Sequence, residues 1–219
     1  MAISNAYTAL NRYIDNEVLP VVEAVPEDRR KTLSEFAQTV HSHLTQGGSA
    51  KVVFVCTHNA RRSQLAQVWA TVAAHWYGLQ EVDVRSGGTE VTEVNPRAIR
   101  TLERAGFTIE REEGPNPVHA VRWAESGIGS YCYSKLIDDS LDSGSKFIAV
   151  MTCADADANC PYVPGADQRI RLLYSDPKQA GGTDQEQAVY DERSLQIAAD
   201  MFWVMEKVAK IENEEATKP

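Results

Sequence analysis

Apolar residues recur at helical spacing early in the chain. Leu33, Phe36, Ala37, Val40 and Leu44 fall at i, i+3, i+4, i+7 and i+11, one face of a helix. Pro26 sits at a first-turn position with Glu27 and Asp28 beside it, and Gly47-Gly48 closes the run. Residues 1 to about 46 therefore read as helical. From Lys51 the period changes. Lys51–Val55 (KVVFV) predicts a short buried strand, and Leu65, Ala66, Trp69, Val72, Ala73 and Trp76 share one face of a helix over Ser63–Tyr77. Glu81–Arg85 predicts the next strand, running into Ser86-Gly87-Gly88, and a helix opens at Asn95-Pro96 and closes at Gly106. Lys146–Thr152 (KFIAVMT) is a strongly apolar strand, and Arg169–Leu173 is one more. Thr183 and Glu186 form a T-x-x-E capping box ahead of a long last helix lined by Leu195, Ala198, Met201, Phe202, Met205 and Val208. Glu110–Gly144 shows no clear period, and the tail IENEEATKP is expected to fray.

Strands alternating with helices predict an α/β fold, a mostly parallel sheet flanked by helices. The break at Gly47-Gly48 divides the chain into an N-terminal helical extension, residues 1–48, and an α/β domain, residues 49–219. Composition narrows the class. The 219 residues are 43% hydrophobic and 24% charged, enough for a core, and the net charge of −9 argues against nucleic acid or an anionic membrane as partner. Nothing near Met1 has a basic start followed by an apolar block, and no apolar run approaches the ~18 residues of a membrane span. Four cysteines (Cys56, Cys132, Cys153, Cys160) are too few for a disulfide scaffold in a chain this long. A reducing cytoplasm is expected, where cysteines serve catalysis, redox exchange or metals.

The candidate chemistry begins where the first strand ends, at Cys56-Thr57-His58-Asn59-Ala60-Arg61-Arg62-Ser63. Five residues between Cys56 and Arg62 suffice to curl the backbone so that its N–H groups point into one concavity, a nest for a tetrahedral oxyanion. The next helix adds its free N–H groups and positive end. Arg62 would close the ring with a planar fork matched to two oxygens of phosphate or arsenate. The same field favours the thiolate of Cys56, and the Ser63 hydroxyl can hydrogen-bond that sulfur. Thr57, His58, Asn59, Ala60, Arg61, Arg62 and Ser63 are thus the candidate oxyanion-binding residues, with Cys56 the nucleophile.

These residues resemble the low-molecular-weight protein tyrosine phosphatase fold, which is shared with thioredoxin-coupled arsenate reductases. That family places C-x5-R-[ST] between its first strand and first helix, as Cys56–Ser63 is placed here. It also carries a late Asp-Pro pair whose Asp is the general acid, and Asp176-Pro177 matches it. The resemblance covers roughly Lys51 to Lys210.

A second feature separates the branches. Cys153 and Cys160 have six residues between them and follow the strand KFIAVMT, with Pro161 next. Zinc ligand pairs more often use two to four intervening residues and need a second pair, which this chain lacks. Two buried free cysteines are the plain alternative. The stretch resembles the redox segment of the arsenate reductase branch, down to C-x6-C-P, and phosphatases of the fold need no such pair. The resemblance implies a relay: Cys56 attacks arsenate while Asp176 protonates the departing oxygen, Cys153 attacks Cys56, and Cys160 moves the disulfide to Cys153–Cys160. It implies no bound cofactor or metal, and an external thiol, thioredoxin, as reductant. Ala154, Ala156 and Ala158, alternating with Asp155, Asp157 and Asn159, offer little packing to resist the loosening this needs. The alternative function is hydrolysis of aryl phosphate monoesters through a Cys56 phosphocysteine.

The match has departures. His58 stands where the arsenate reductase loop usually has Gly, Ala60 where it has a small polar residue, and Arg61 where it has Cys. His58 is open to reading as a cation beside the anion, a second base or a surface side chain, and Arg61 as a solvated cation or a steering charge. Asn59 matches a loop-organising position. Cys132, between Tyr131 and Tyr133, reads as packing, while Tyr131, Tyr133 and Trp123 are candidates for a cleft wall or for core. His41 and His43 are two apart, so on a helix they diverge and cannot share a metal. The N-terminal helices either pack on the sheet or form a homodimer interface.

Overall fold

A computed structural model describes residues 7–125, 129–141, 146–160 and 162–216. Its centre is strand β1 (Ala50–Cys56), buried at every position but Lys51. It pairs in parallel with β2 (Val82–Gly88) on one side and with the wholly buried β6 (Phe147–Met151) on the other. The fourth parallel strand, β7 (Ala166–Arg171), pairs with β6, giving the order β2-β1-β6-β7. The two continuous apolar runs take the central positions because only there are both faces covered. Alternation along β1 divides the interior. Val52 and Phe54 face the larger core, whereas Val53 and Val55 face a smaller one with Phe147, Ala149, Met151 and Cys153.

The larger face is covered by α3 (Glu27–Gly47), α4 (Arg62–Trp76) and α7 (Glu186–Ala216). In α3 the predicted stripe Leu33, Phe36, Ala37 and Val40 is fully buried, with Phe36 edge-on to Phe54 of β1. The N-terminal helices therefore belong to the main core, and a homodimer through them would use their polar faces. Gly48, at φ 71°, ends α3 by donating to the Leu44 carbonyl from a left-handed conformation that an L side chain resists. Before α3 come α1 (Thr8–Tyr13) and α2 (Leu19–Glu23), joined without a break by a π-turn over Ile14–Val18. Leu10, Ile14, Val18 and Val22 are all buried although spaced by four, a period that drifts about 40° per step on an α-helix. The wider π-turn takes up that drift.

The unreadable middle holds a second sheet. Strands β3 (Thr108–Arg111), β4 (His119–Arg122) and β5 (Gly129–Cys132) are antiparallel in that order, four residues each, too short and polar to show a period. Helix α5 (Pro96–Arg104) opens as expected, with the Asn95 side chain accepting from Arg97 N at 3.0 Å.

Three expectations are corrected. The capping box does not form at Thr183: the Thr183 hydroxyl donates to the Ala180 carbonyl, α7 starts at Glu186, and the Glu186 carboxylate is drawn to Arg97 at 2.6 Å. The last strand starts three residues before Arg169 and ends two before Leu173, set by its ladder with β6. The tail is helical to Ala216 rather than frayed (residues 217–219 lie outside the described residues). Its last turns are held by His41, whose Nδ1 lies 2.5 Å from Glu212 and whose Nε2 lies 3.4 Å from Glu215. His43 diverges from His41 and lies 3.9 Å from Asp167 of β7. Among the described residues no helix is long and apolar enough to cross a membrane.

Phe36→Ala should cost about 3–5 kcal/mol, seen as a lower denaturant midpoint at unchanged slope. Tryptophan fluorescence and circular dichroism should give one coincident transition. Two separate transitions would show that the N-terminal helices fold apart from the sheet.

Candidate active site

β1 delivers Cys56 to the carboxyl edge of the sheet and α4 starts at Arg62, so residues 57–61 must turn through the space between. The turn is made at Asn59, the one non-glycine position with positive φ (46°) among the described residues, a conformation that Asn tolerates. Its side chain then fixes the loop. Nδ2 donates to Ser63 Oγ at 2.8 Å, while Oδ1 accepts from Gln64 Nε2 at 2.8 Å and from Lys135 N at 3.2 Å. The loop carbonyls are drawn outward: Thr57 O accepts from Thr89 N and Glu90 N at 2.9 Å, and His58 O from the Ser134 hydroxyl at 2.7 Å. Among the described residues no acceptor takes the N–H groups of His58, Asn59, Ala60 or Arg61. Gly88 is required here, because a Cβ on it would lie 2.7 Å from Thr57 O and 2.9 Å from Asn59 N.

Cys56 is buried, with its Sγ 3.0 Å from Ser63 Oγ. The direction of that bond follows from its neighbour. Asn59 Nδ2 can only donate, so Ser63 accepts there and its own proton is left for the sulfur. The hydroxyl thus points its donor at the Cys56 sulfur.

Arg62 and Asp176 come together, but not as the sequence suggests. The Arg62 fork is occupied: Nη1 donates to the Tyr174 carbonyl at 3.0 Å and Nη2 to Asp176 at 2.7 Å. Its buried Nε has no hydrogen-bond partner among the described residues. Arg61 is not a free solvated cation, since it grips both oxygens of Asp176 at 2.9 and 3.2 Å. Burial pushes the Asp176 carboxyl up, but the Lys178 N–H and the two guanidinium groups outweigh it and hold the pKa below the ordinary value. Asp176 thus stands as a carboxylate shared by two arginines. Cys56, Thr57, His58, Ala60, Arg61 and Arg62 enclose a cavity of ≈ 10 Å³, about one water. A tetrahedral oxyanion is larger than this space, and two of the residues that line it, Arg61 and Arg62, are tied to Asp176.

Cys153 is buried beside the loop, its Sγ 3.5 Å from the Thr57 hydroxyl. It caps a short helix, α6 (Ala154–Asn159), by accepting from Ala156 N at 3.4 Å. Cys160 ends that helix, half-buried, with its thiol 3.4 Å from the Tyr162 carbonyl. Pro161 lies outside the described residues. The expectation that little resists loosening needs correction. Asp157 pairs with Arg169 at 2.6 Å and Arg171 at 2.7 Å, and Arg169 also donates to the Asp157 and Cys160 carbonyls.

His58 is a rim side chain paired with Glu90 at 3.2 Å. Cys132 is packing, and burial pushes its thiol up to about 12. Trp123 is core rather than cleft wall, Tyr133 lies under the Lys135 ammonium, and Tyr131 is exposed. Among the described residues no three metal-ligating side chains assemble. Gln64 and Ser134, which hold the loop, escaped the sequence reading; a polar Gln64 inside an apolar helix face was the available signal.

The family model of low-molecular-weight phosphotyrosine protein phosphatase matches residues 51–125. The arsenate reductase of Staphylococcus aureus (strain Newman) is 31% identical over 154 residues, 69% of this chain and 94% of that protein. Arsenate reductase 2 of Staphylococcus epidermidis is 29% identical over 126 residues, covering 58% and 77%. A low-molecular-weight phosphotyrosine phosphatase from Vibrio cholerae aligns at TM-score 0.47 and 14% identity, over 78% of this chain and 100% of that one. A thioredoxin-dependent arsenate reductase from Corynebacterium glutamicum aligns at TM-score 0.37 and 25% identity, over 85% and 81%. The chain belongs to the low-molecular-weight protein tyrosine phosphatase family, in its arsenate reductase branch.

Ser63→Ala should slow alkylation of Cys56 by iodoacetamide at neutral pH about tenfold, the worth of one hydrogen bond to a charged group. An unchanged rate would remove Ser63 from thiolate stabilisation. Arg61→Gln takes a cation from Asp176 and should raise its pKa. A step that needs protonated Asp176 then persists to higher pH, and the basic limb of kcat for p-nitrophenyl phosphate should move up. A limb that stays in place would show that Asp176 is not the acid it reports.

Proposed function

We propose that the protein reduces arsenate to arsenite through Cys56, Cys153 and Cys160 in turn. The observation that carries this reading is Cys153 packed against the oxyanion loop, with Cys160 at the far end of its helix. Arsenate docks on the loop N–H groups and Arg62, and its two negative charges replace Asp176 as the partner of that guanidinium. Loss of Arg62 and the nearby dianion both raise the proton affinity of Asp176, so the substrate itself converts the carboxylate into an acid. Cys56 attacks arsenic and a hydroxyl leaves as water, protonated by Asp176. Cys153 then attacks the Cys56 sulfur. The S–As bond breaks with its electron pair left on arsenic, arsenite departs, and a Cys56–Cys153 disulfide remains. Cys160 attacks Cys153 and frees Cys56.

That last step requires α6 to open. Seven residues of helix separate the two Cα atoms by about 10 Å, whereas a disulfide spans ~4.4–6.8 Å. The Asp157 bridges must therefore part before the bond forms. The electrons come from an external thiol, thioredoxin, and no bound cofactor is invoked. A second reading, aryl phosphate hydrolysis, is favoured by a site in which Cys56, Arg62 and Asp176 suffice for phosphoryl transfer.

With thioredoxin, thioredoxin reductase and arsenate, sustained NADPH consumption should require all three cysteines. Cys153→Ser should abolish it while sparing p-nitrophenyl phosphate hydrolysis, and Cys160→Ser should stop after one turnover with a Cys56–Cys153 disulfide visible by mass spectrometry. Equal loss of both activities in Cys153→Ser, or phosphatase turnover with no arsenate-driven oxidation, would overturn the relay.

A further inference from the structure

The N-terminal extension approaches the active site through one side chain. Arg29, in the first turn of α3, sends Nε and Nη2 to the carboxylate of Asp200 on α7 at 2.7–3.1 Å, and Asp200 is 1% exposed. Its Nη1 donates to the Leu173 carbonyl at 3.4 Å, and its guanidinium carbon lies 4.7 Å from the centre of the Tyr174 ring. The next carbonyl, that of Tyr174, takes Arg62 Nη1, and two residues further Asp176 takes Arg62 Nη2. Both groups that orient the Arg62 fork thus lie on a segment that Arg29 touches.

We propose that Arg29 is a positioning residue of the oxyanion site, fixing residues 173–176 and through them the direction of the Arg62 fork. Asp200 sets the plane of the Arg29 guanidinium, which reaches Leu173 and the Tyr174 ring already oriented. The segment's own backbone bonds, Leu172 N to Met151 O and Tyr174 N to Thr152 O, tie it to the end of β6; Arg29 adds the tie to α3 and α7. The assignment rests on reading the Cys56 loop as an oxyanion site, and it gives the extension a part in substrate binding.

The test measures inorganic phosphate binding by calorimetry. Arg29→Ala leaves Asp200 buried without its partner and endangers the fold, so the deciding variant is Arg29→Met with Asp200→Leu, which replaces the pair by apolar chains and should keep the melting temperature. Phosphate should bind about tenfold more weakly to the double variant, the scale of a small misplacement of a binding group. Alkylation of Cys56 by neutral iodoacetamide should be unchanged, which general loosening of the site would not leave so. Where Arg29→Ala folds, added guanidinium ion should restore its phosphate affinity. Wild-type phosphate binding together with an unaffected double variant would overturn the assignment alone. A wild-type protein that binds no phosphate would overturn the oxyanion-loop reading and the assignment with it.

Discussion

Arg62 carries a full charge with 8% of its surface exposed, and a charge so placed is stable only while it is paired. In the resting protein the pairing comes from Asp176 and the Tyr174 carbonyl. In the proposed reaction the substrate offers its oxygens to the same fork, so that its binding would exchange one anion for another. Arg61 holds both oxygens of Asp176, so the carboxylate would keep a bidentate partner in that exchange. The chain has Arg61 where the reductase loop usually has cysteine, so this counter-charge departs from the family pattern. The buried Nε of Arg62, without a partner, is the donor an arriving oxygen meets at no cost in broken bonds.

The loop that presents Cys56 is held from outside by side chains, which leaves its N–H groups inward. Asn59 binds Ser63, Gln64 and Lys135 at once, and Ser134 holds the His58 carbonyl. Two of these partners come from the stretch after the small antiparallel sheet. That sheet returns the chain to the loop, where Gly88 and Leu136 form a bridge. The stretch that shows no clear period in the sequence thus supplies Ser134 and Lys135 to the back of the loop.

The helix between Cys153 and Cys160 shows a balance of the opposite kind. Its alanines and short length make it easy to unwind, yet Asp157 is clamped by two arginines of β7. Arg171 is largely exposed and its bridge contributes little in water, while Arg169 is mostly covered and also holds two carbonyls. The helix is held by charge and has few apolar contacts of its own. Burial of Ala156 is the main one.

Strand and helix identity was legible in the sequence because local pattern decides it. An apolar run such as KFIAVMT has only the sheet interior to occupy, and the α3 stripe could only face a core. Cys56, Arg62 and Ser63 were legible for the same reason, since their spacing is read along one continuous backbone. Pairings between distant segments were not. Nothing near Arg61 announces Asp176, nothing near Arg29 announces Asp200, and nothing near Asp157 announces Arg169, because charged side chains carry no local signature of the partner they will meet. The four-residue strands β3 to β5 were hidden likewise, since they are held by one another rather than by an apolar period. What the chain by itself determined was the loop that follows Cys56 and the layers around it. Which charge neutralises which was decided by the tertiary structure, because an ion pair is set by distance in space, and that distance exists only once the layers have packed.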